Sequence, residues 1–119
     1  MALFSGIGRV FKELSPQTEL IAVQSEGAPS MVESIRSQKL ITYPSVNTIC
    51  DGIAIRIPVK QSLIDLKHMI DDTLLVSDNA TLKAMKLLHQ HLGIVCEPSA
   101  AVGIAAIADN KNRWRKKKI

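Results

Sequence analysis

Leu92-Gly-Ile-Val-Cys-Glu-Pro-Ser-Ala-Ala-Val-Gly-Ile-Ala-Ala-Ile-Ala108 is the stretch whose reading decides the fold. Ile94 to Cys96 is a short apolar run, Glu97 a lone carboxylate and Pro98 a residue suited to the first helical position. The small and aliphatic residues beyond recur at helix spacing. The expectation is a buried strand turning into a buried helix. A carboxylate between two apolar elements must be paired, hydrogen-bonded or turned toward a ligand cavity, and in α/β proteins such strand-to-helix turns line the ligand crevice. The commoner role is simpler: Glu97 caps the helix, accepting from its free N–H groups. Spacing alone leaves both readings open.

Working outward, Ala80, Ala84, Leu87, Leu88 and Leu92 form a helical stripe, with Ser77 or Asp78 placed to cap its start and Gly93 to close its end. His89 and His91 stand two apart and cannot share a helical face, so they read as C-terminal cations rather than metal ligands. Thr73 to Val76 predicts a brief strand, and Leu63, Leu66 and Ile70 a short helix ended by Asp71-Asp72. Near the start, Leu3, Ile7, Val10, Phe11 and Leu14 share one stripe of a helix that Ser15-Pro16 ends. Leu20 to Val23 is a continuous apolar run, the pattern of a parallel strand covered on both faces. Gly27-Ala28-Pro29-Ser30 opens a helix carrying Met31 and Ile35, to about Lys39. Ile41 to Ser62 reads as loop and brief strand, and within it Asp51-Gly52 is by itself a plain turn. The alternation predicts an α/β fold with a small, mostly parallel sheet flanked by helices.

Composition narrows the class. A chain of 119 residues that is 46% hydrophobic and only 3% aromatic can bury one core, and that core must be aliphatic. No segment reaches the ~18 unbroken apolar residues of a membrane span, and the opening residues lack the basic start and apolar run of a secretory signal, so a cytoplasmic protein is expected. Cys50 and Cys96 lack metal-type spacing and read as buried free thiols. The net charge of +4 is uneven: Lys111, Arg113, Arg115, Lys116, Lys117 and Lys118 are six of fifteen basic residues, leaving nine against eleven acidic ones in residues 1 to 110. Residues 1–110 are thus expected to be one α/β domain and 111–119 a basic, solvated C-terminal tail. Without interleaved aromatics or a binding motif, no specific nucleic-acid binding is expected.

Several signals in fixed order resemble one family. Leu3-Phe4-Ser5-Gly6-Ile7, Ile21-Ala22-Val23-Gln24, Thr48-Ile49-Cys50-Asp51-Gly52-Ile53-Ala54, Asp71-Asp72 and Glu97-Pro98-Ser99-Ala100-Ala101 are similar to the later part of the catalytic domain of threonine dehydratase. Serine dehydratase and serine racemase share this pattern. All are pyridoxal phosphate enzymes of the tryptophan synthase β-subunit-like fold, so the resemblance implies part of that fold and, for the parent, deamination of threonine or serine to a 2-oxo acid.

The resemblance also implies which residues face the cofactor. Asp51 and Gly52 match the family's Asp-Gly near the ring, Glu97 the glutamate that faces it, and Ala2 the end of the phosphate-binding loop. The lysine of a Ser-x-Lys context that forms the Schiff base lies near the start of such enzymes, and no lysine here is assigned that role. The family's divalent cation site falls at Gln24, Ala28 and Ser30, where Gln24 and Ser30 replace carboxylates; a hard cation wants anionic oxygen, so no metal is assigned. This chain alone is therefore expected to bind no cofactor and to be inactive. Expected partners are the missing N-terminal half or another copy of itself. A free-standing α/β interaction or regulatory module is the alternative.

Overall fold

The computed structural model describes residues 2–119. In chain order the elements are α1 (Ala2–Leu14), β1 (Ile21–Ser25), α2 (Ser30–Ser37), a 3-10 turn (Asp51–Ile53), α3 (Lys60–Leu66), β2 (Asp72–Val76), α4 (Asp78–Leu92), α5 (Pro98–Asp109) and α6 (Lys111–Trp114). β1 and β2 pair in parallel, from Ile21 opposite Asp72 to Ser25 opposite Val76. Parallel neighbours need a crossover, and here it holds α2, the long irregular segment and α3.

Side chains alternate along each strand, so the two faces of this ribbon meet different partners. Ala22, Gln24 and Thr73 lie on one face, where α2 sits: Gln24 Oε1 accepts from Val32 N–H at 3.1 Å, and Arg36 donates to Thr73 Oγ1 and to its carbonyl, both at 2.8 Å. Val23, Leu74 and Val76 face the other way and join the main core with Ala80, Ala84, Ala101, Ala105 and Ala106. Alanines at i and i+4 on both α4 and α5 let the two helix axes approach closely. Among the described residues no aromatic side chain is fully buried, so the core is aliphatic, as the composition requires.

Helix ends follow their chemistry. Ser77 caps α4, its Oγ accepting from Ala80 N–H at 3.1 Å, and Gly93 closes it with φ 65°. Asp71 and Asp72, at the mouth of β2, tie two further helices to the sheet. Asp71 accepts from Lys12 Nζ and Leu20 N–H, each at 2.6 Å, and Asp72 pairs with Arg113 at 2.5 Å. The Leu20 N–H and then Lys12 hold the Asp71 carboxyl below its ordinary value, and Arg113 does the same for Asp72. Within the stretch expected as a tail, Lys111–Trp114 thus form a helix bound to the sheet, and Lys117 reaches Glu19 at 3.3 Å.

Two expected strands are absent. Ile94–Cys96 forms no strand, and Val95 is 85% exposed: an extended run needs a neighbouring ladder to pair with, and none is offered to it among the described residues. Ile41–Ser62 contains no strand either; it is held by single bonds such as Tyr43 N–H to the Arg56 carbonyl and Asn47 N–H to the Gly27 carbonyl. The α1 stripe forms as its spacing predicts and lies open. Gly8 and Lys12, one turn apart, face the body, which leaves Leu3, Ile7, Val10, Phe11 and Leu14 between 43% and 79% exposed.

Candidate functional site

Asp51-Gly52 and Glu97 stand 45 residues apart in the chain, yet the fold brings them together. A Cβ placed on Gly52 would lie 2.9 Å from Ser99 Oγ, 3.2 Å from Glu97 Oε1 and 3.3 Å from Ser99 Cβ. The missing side chain therefore makes room for the start of α5. Glycine is needed at this turn for close approach, not for φ.

The turn is presented by a fixed loop. Asp78 does not cap α4, because Ser77 does; its carboxylate instead accepts from Thr48 Oγ–H at 2.6 Å, from Ile49 N–H at 3.0 Å and, more weakly, from Ser25 Oγ–H at 3.4 Å. Ser25 also donates to Thr48 Oγ1 at 2.7 Å, and that same oxygen accepts from Cys50 N–H at 3.1 Å. The C-terminal end of β1, the first turn of α4 and the residues before Asp51 are thereby one hydrogen-bonded knot. Gly27 belongs to it: a Cβ there would sit 1.8 Å from the Asn47 carbonyl oxygen, so no other residue fits without moving the loop. Ser25, Gly27 and Asp78 carry no sequence signal for this role, since each also suits an ordinary turn or first-turn acid. Thr48 and Ser99 stand inside the quoted motifs and could have been singled out from them.

Glu97 occupies the cap position of α5 but makes no side-chain capping bond, so the capping reading is set aside. Its carboxylate is exposed beside Gly52 and Ser99. Ser99 Oγ, by contrast, is buried and has no hydrogen-bond partner among the described residues. A free acceptor and a free buried donor thus flank the Asp-Gly turn. Ala2 opens α1, and its side chain lies outside what the structure describes.

The other candidates resolve into structure. Gln24 Oε1 is taken by Val32 N–H, Ser30 Oγ donates to the Ile55 carbonyl at 2.5 Å, and Ala28 is fully buried, so these three serve the packing of α2. One lysine does have Ser-x-Lys spacing, in Ser37-Gln38-Lys39. Its setting is a helix end: Gln38 takes the left-handed conformation that closes α2, Ser37 Oγ bonds the Glu33 carbonyl, and Lys39 is exposed beyond. α2 also covers the sheet face opposite α5. Cys50 is buried, Cys96 half-buried, and both are free thiols.

A parallel ribbon between helices, with an Asp-Gly turn set against a Glu-Pro helix start, places the chain in the class that comparison identifies. A model of the pyridoxal-phosphate dependent enzyme family matches residues 2–119, and the chain belongs to that family. It is 36% identical over 109 residues to serine racemase of Oryza sativa subsp. indica, covering 87% of this chain and 30% of that protein. To the catabolic L-threonine dehydratase TdcB of Staphylococcus aureus (strain USA300) it is 34% identical over 114 residues, covering 94% and 33%. The solved processed form of threonine deaminase isoform 2 from Solanum lycopersicum matches with TM-score 0.89 at 28% identity, over 98% of this chain and 32% of that one. Maize serine racemase matches with TM-score 0.88 at 30% identity, over 98% and 36%. The fold is that of these enzymes in part, because the chain spans about a third of the length of the curated relatives it matches.

Proposed function

We propose that this chain forms one wall of the cofactor pocket of a pyridoxal phosphate-dependent threonine or serine dehydratase, and that it turns over no substrate until joined to an N-terminal part carrying the lysine and the phosphate loop. The observation that carries this reading is the contact of Gly52 with Glu97 and Ser99, which unites the two stretches most like the family's ring-facing motifs. The cofactor, when held, supplies an electron sink for loss of water from the amino acid, giving a 2-oxo acid and ammonia. The residues assigned to the wall are Asp51, Gly52 and Glu97, with Ala2 at the start of α1. Their chemistry fits a flat, polar-edged ring: Glu97 offers an unspent anionic acceptor, and the Asp51-Gly52 backbone is a rigid edge held by the Asp78 knot. A cytoplasmic setting suits the two free thiols.

The exposed α1 stripe favours a second feature of this reading, a partner. Five large apolar side chains stand exposed along one helix face, and contiguous apolar surface of this kind marks interaction sites. The missing N-terminal part is the occupant we assign, with self-association through α1 when that part is absent. As a non-catalytic interaction module the chain would use the same stripe, so activity decides between the two. Threonine and serine turnover should be absent for the 119-residue chain and should appear when it is fused behind the N-terminal part of a threonine dehydratase. Glu97→Ala should abolish most of that turnover. An inactive but folded fusion would favour the module, and turnover by the chain alone would overturn the need for a second part.

A further inference from the structure

Ser99 stands apart from the other residues beside Gly52. It is the second residue of α5, its hydroxyl is buried, and nothing among the described residues accepts from it or donates to it. A buried hydroxyl without a partner is destabilising, and a role in binding or catalysis is one reason a folded protein retains such a group. The acceptor for that second state stands close by. Ser99 Oγ and Glu97 Oε1 both lie within 3.2 Å of the same point beside Gly52, so they are within about 6 Å of each other, and among the described residues the Glu97 carboxylate makes no capping bond that it would have to give up.

We infer that Ser99 is the positioning residue for Glu97: when the pocket is filled, the carboxylate turns in from solvent and accepts from the Ser99 hydroxyl, which fixes it against the Asp51-Gly52 edge. In the ligand-free chain that bond is open. The hydroxyl is then a cost carried by the free state and recovered on binding, so its removal should act with opposite sign on stability and on affinity. Gly52 is what permits the arrangement, since a side chain there would occupy the space through which the two groups meet.

This inference rests on the cofactor-wall reading, and two measurements separate their failures. The first uses the 119-residue chain alone. Ser99→Cys keeps the size and helix propensity of serine and replaces the hydroxyl with a weak donor, so it should raise Tm by a few degrees, and Ser99→Ala should raise it at least as much. A fall in Tm for both variants would show that the hydroxyl is already bonded and would overturn the inference. The second uses the chain fused behind the N-terminal part of a threonine dehydratase, with pyridoxal phosphate affinity read from quenching of protein fluorescence. Ser99→Ala should weaken affinity about tenfold, the loss of one charge-assisted bond, whereas in the Glu97→Ala background, which leaves the hydroxyl no acceptor at that position, the same substitution should change it less than threefold. Equal effects in both backgrounds would break the link from Ser99 to Glu97. A folded fusion with no affinity at all would remove the cofactor-wall reading and the inference with it.

Discussion

Asp78→Ala is the sharpest test of how the candidate site is held. The carboxylate accepts from Thr48 Oγ–H at 2.6 Å and Ile49 N–H at 3.0 Å, with Ser25 Oγ–H a weaker third at 3.4 Å. A hydrogen bond to a charged group contributes ~1.5–3 kcal/mol net. Two good bonds set an upper range of ~3–6 kcal/mol, and water reduces it, because Ile49 is exposed and its N–H is hydrated once released. Ser25 and Cys50 still meet at Thr48 Oγ1, so that part of the knot survives. The expected cost is therefore ~2–4 kcal/mol, or a fall in Tm of about 8–16 °C for a domain of this size. Asp78→Asn should fall between, since it keeps an acceptor for Thr48 but turns an amide toward the Ile49 N–H. Thermal unfolding followed by circular dichroism gives the shift, and hydrogen exchange gives its location, with faster exchange expected at Ile49, whose N–H loses its acceptor. A Tm within 2 °C of wild type with exchange unchanged at the Ile49 amide would refute the reasoning.

Gly52→Ala should destabilise the chain by ~1–3 kcal/mol, because the added carbon meets Ser99 Oγ at 2.9 Å and Glu97 Oε1 at 3.2 Å; the loss in denaturant midpoint should be smaller in a Ser99→Gly background, where the first obstacle is gone. Acid stability should depend on Asp71 and Asp72, both held below the ordinary 3.8 by their partners. Their contribution is complete above that value and is lost as pH falls through the depressed values, so Lys12→Met and Arg113→Met should flatten the decline in Tm below about pH 4 and leave the neutral-to-pH 5 slope unchanged. Magnesium or calcium should leave Tm unmoved, since Gln24 Oε1 and Ser30 Oγ are already spent on Val32 N–H and the Ile55 carbonyl; a saturable rise in calorimetry would show that these groups can be recruited.

Local patterns were the legible part of this fold. The α4 stripe, its Ser77 cap and its Gly93 stop are written within a few residues of one another, and the structure reproduces them. Leu20 to Val23 and Thr73 to Val76 announce strands because β-branched and leucine runs suit a covered ribbon. Ile94–Cys96 carries the same signal and fails, because a strand is a relation between two segments and periodicity describes only one. α1 adds a complementary point: its stripe fixes the helix but not which face meets the body, and that face is chosen by a glycine and a lysine that no hydrophobic pattern marks. At the site, Asp51, Gly52 and Glu97 were reached through resemblance to a family. Ser25 and Asp78 were not, because the groups they hold lie far along the chain, with 23 and 30 residues separating Thr48 from each.

The parallel ribbon also sets an order of assembly. Each β1 residue pairs with one 51 positions later, as Ile21 does with Asp72, whereas α4 and α5 are joined by a short connection and meet through alanines that need little rearrangement. Closing a long loop costs entropy before any contact repays it, so non-local pairing is slow and local pairing fast. The α4–α5 hairpin with β2 at its head is therefore expected to form first and β1 to dock onto it. The knot at Asp78 closes only with that docking, because Ser25 arrives on β1, and the wall beside Gly52 is among the last parts of the molecule to take shape.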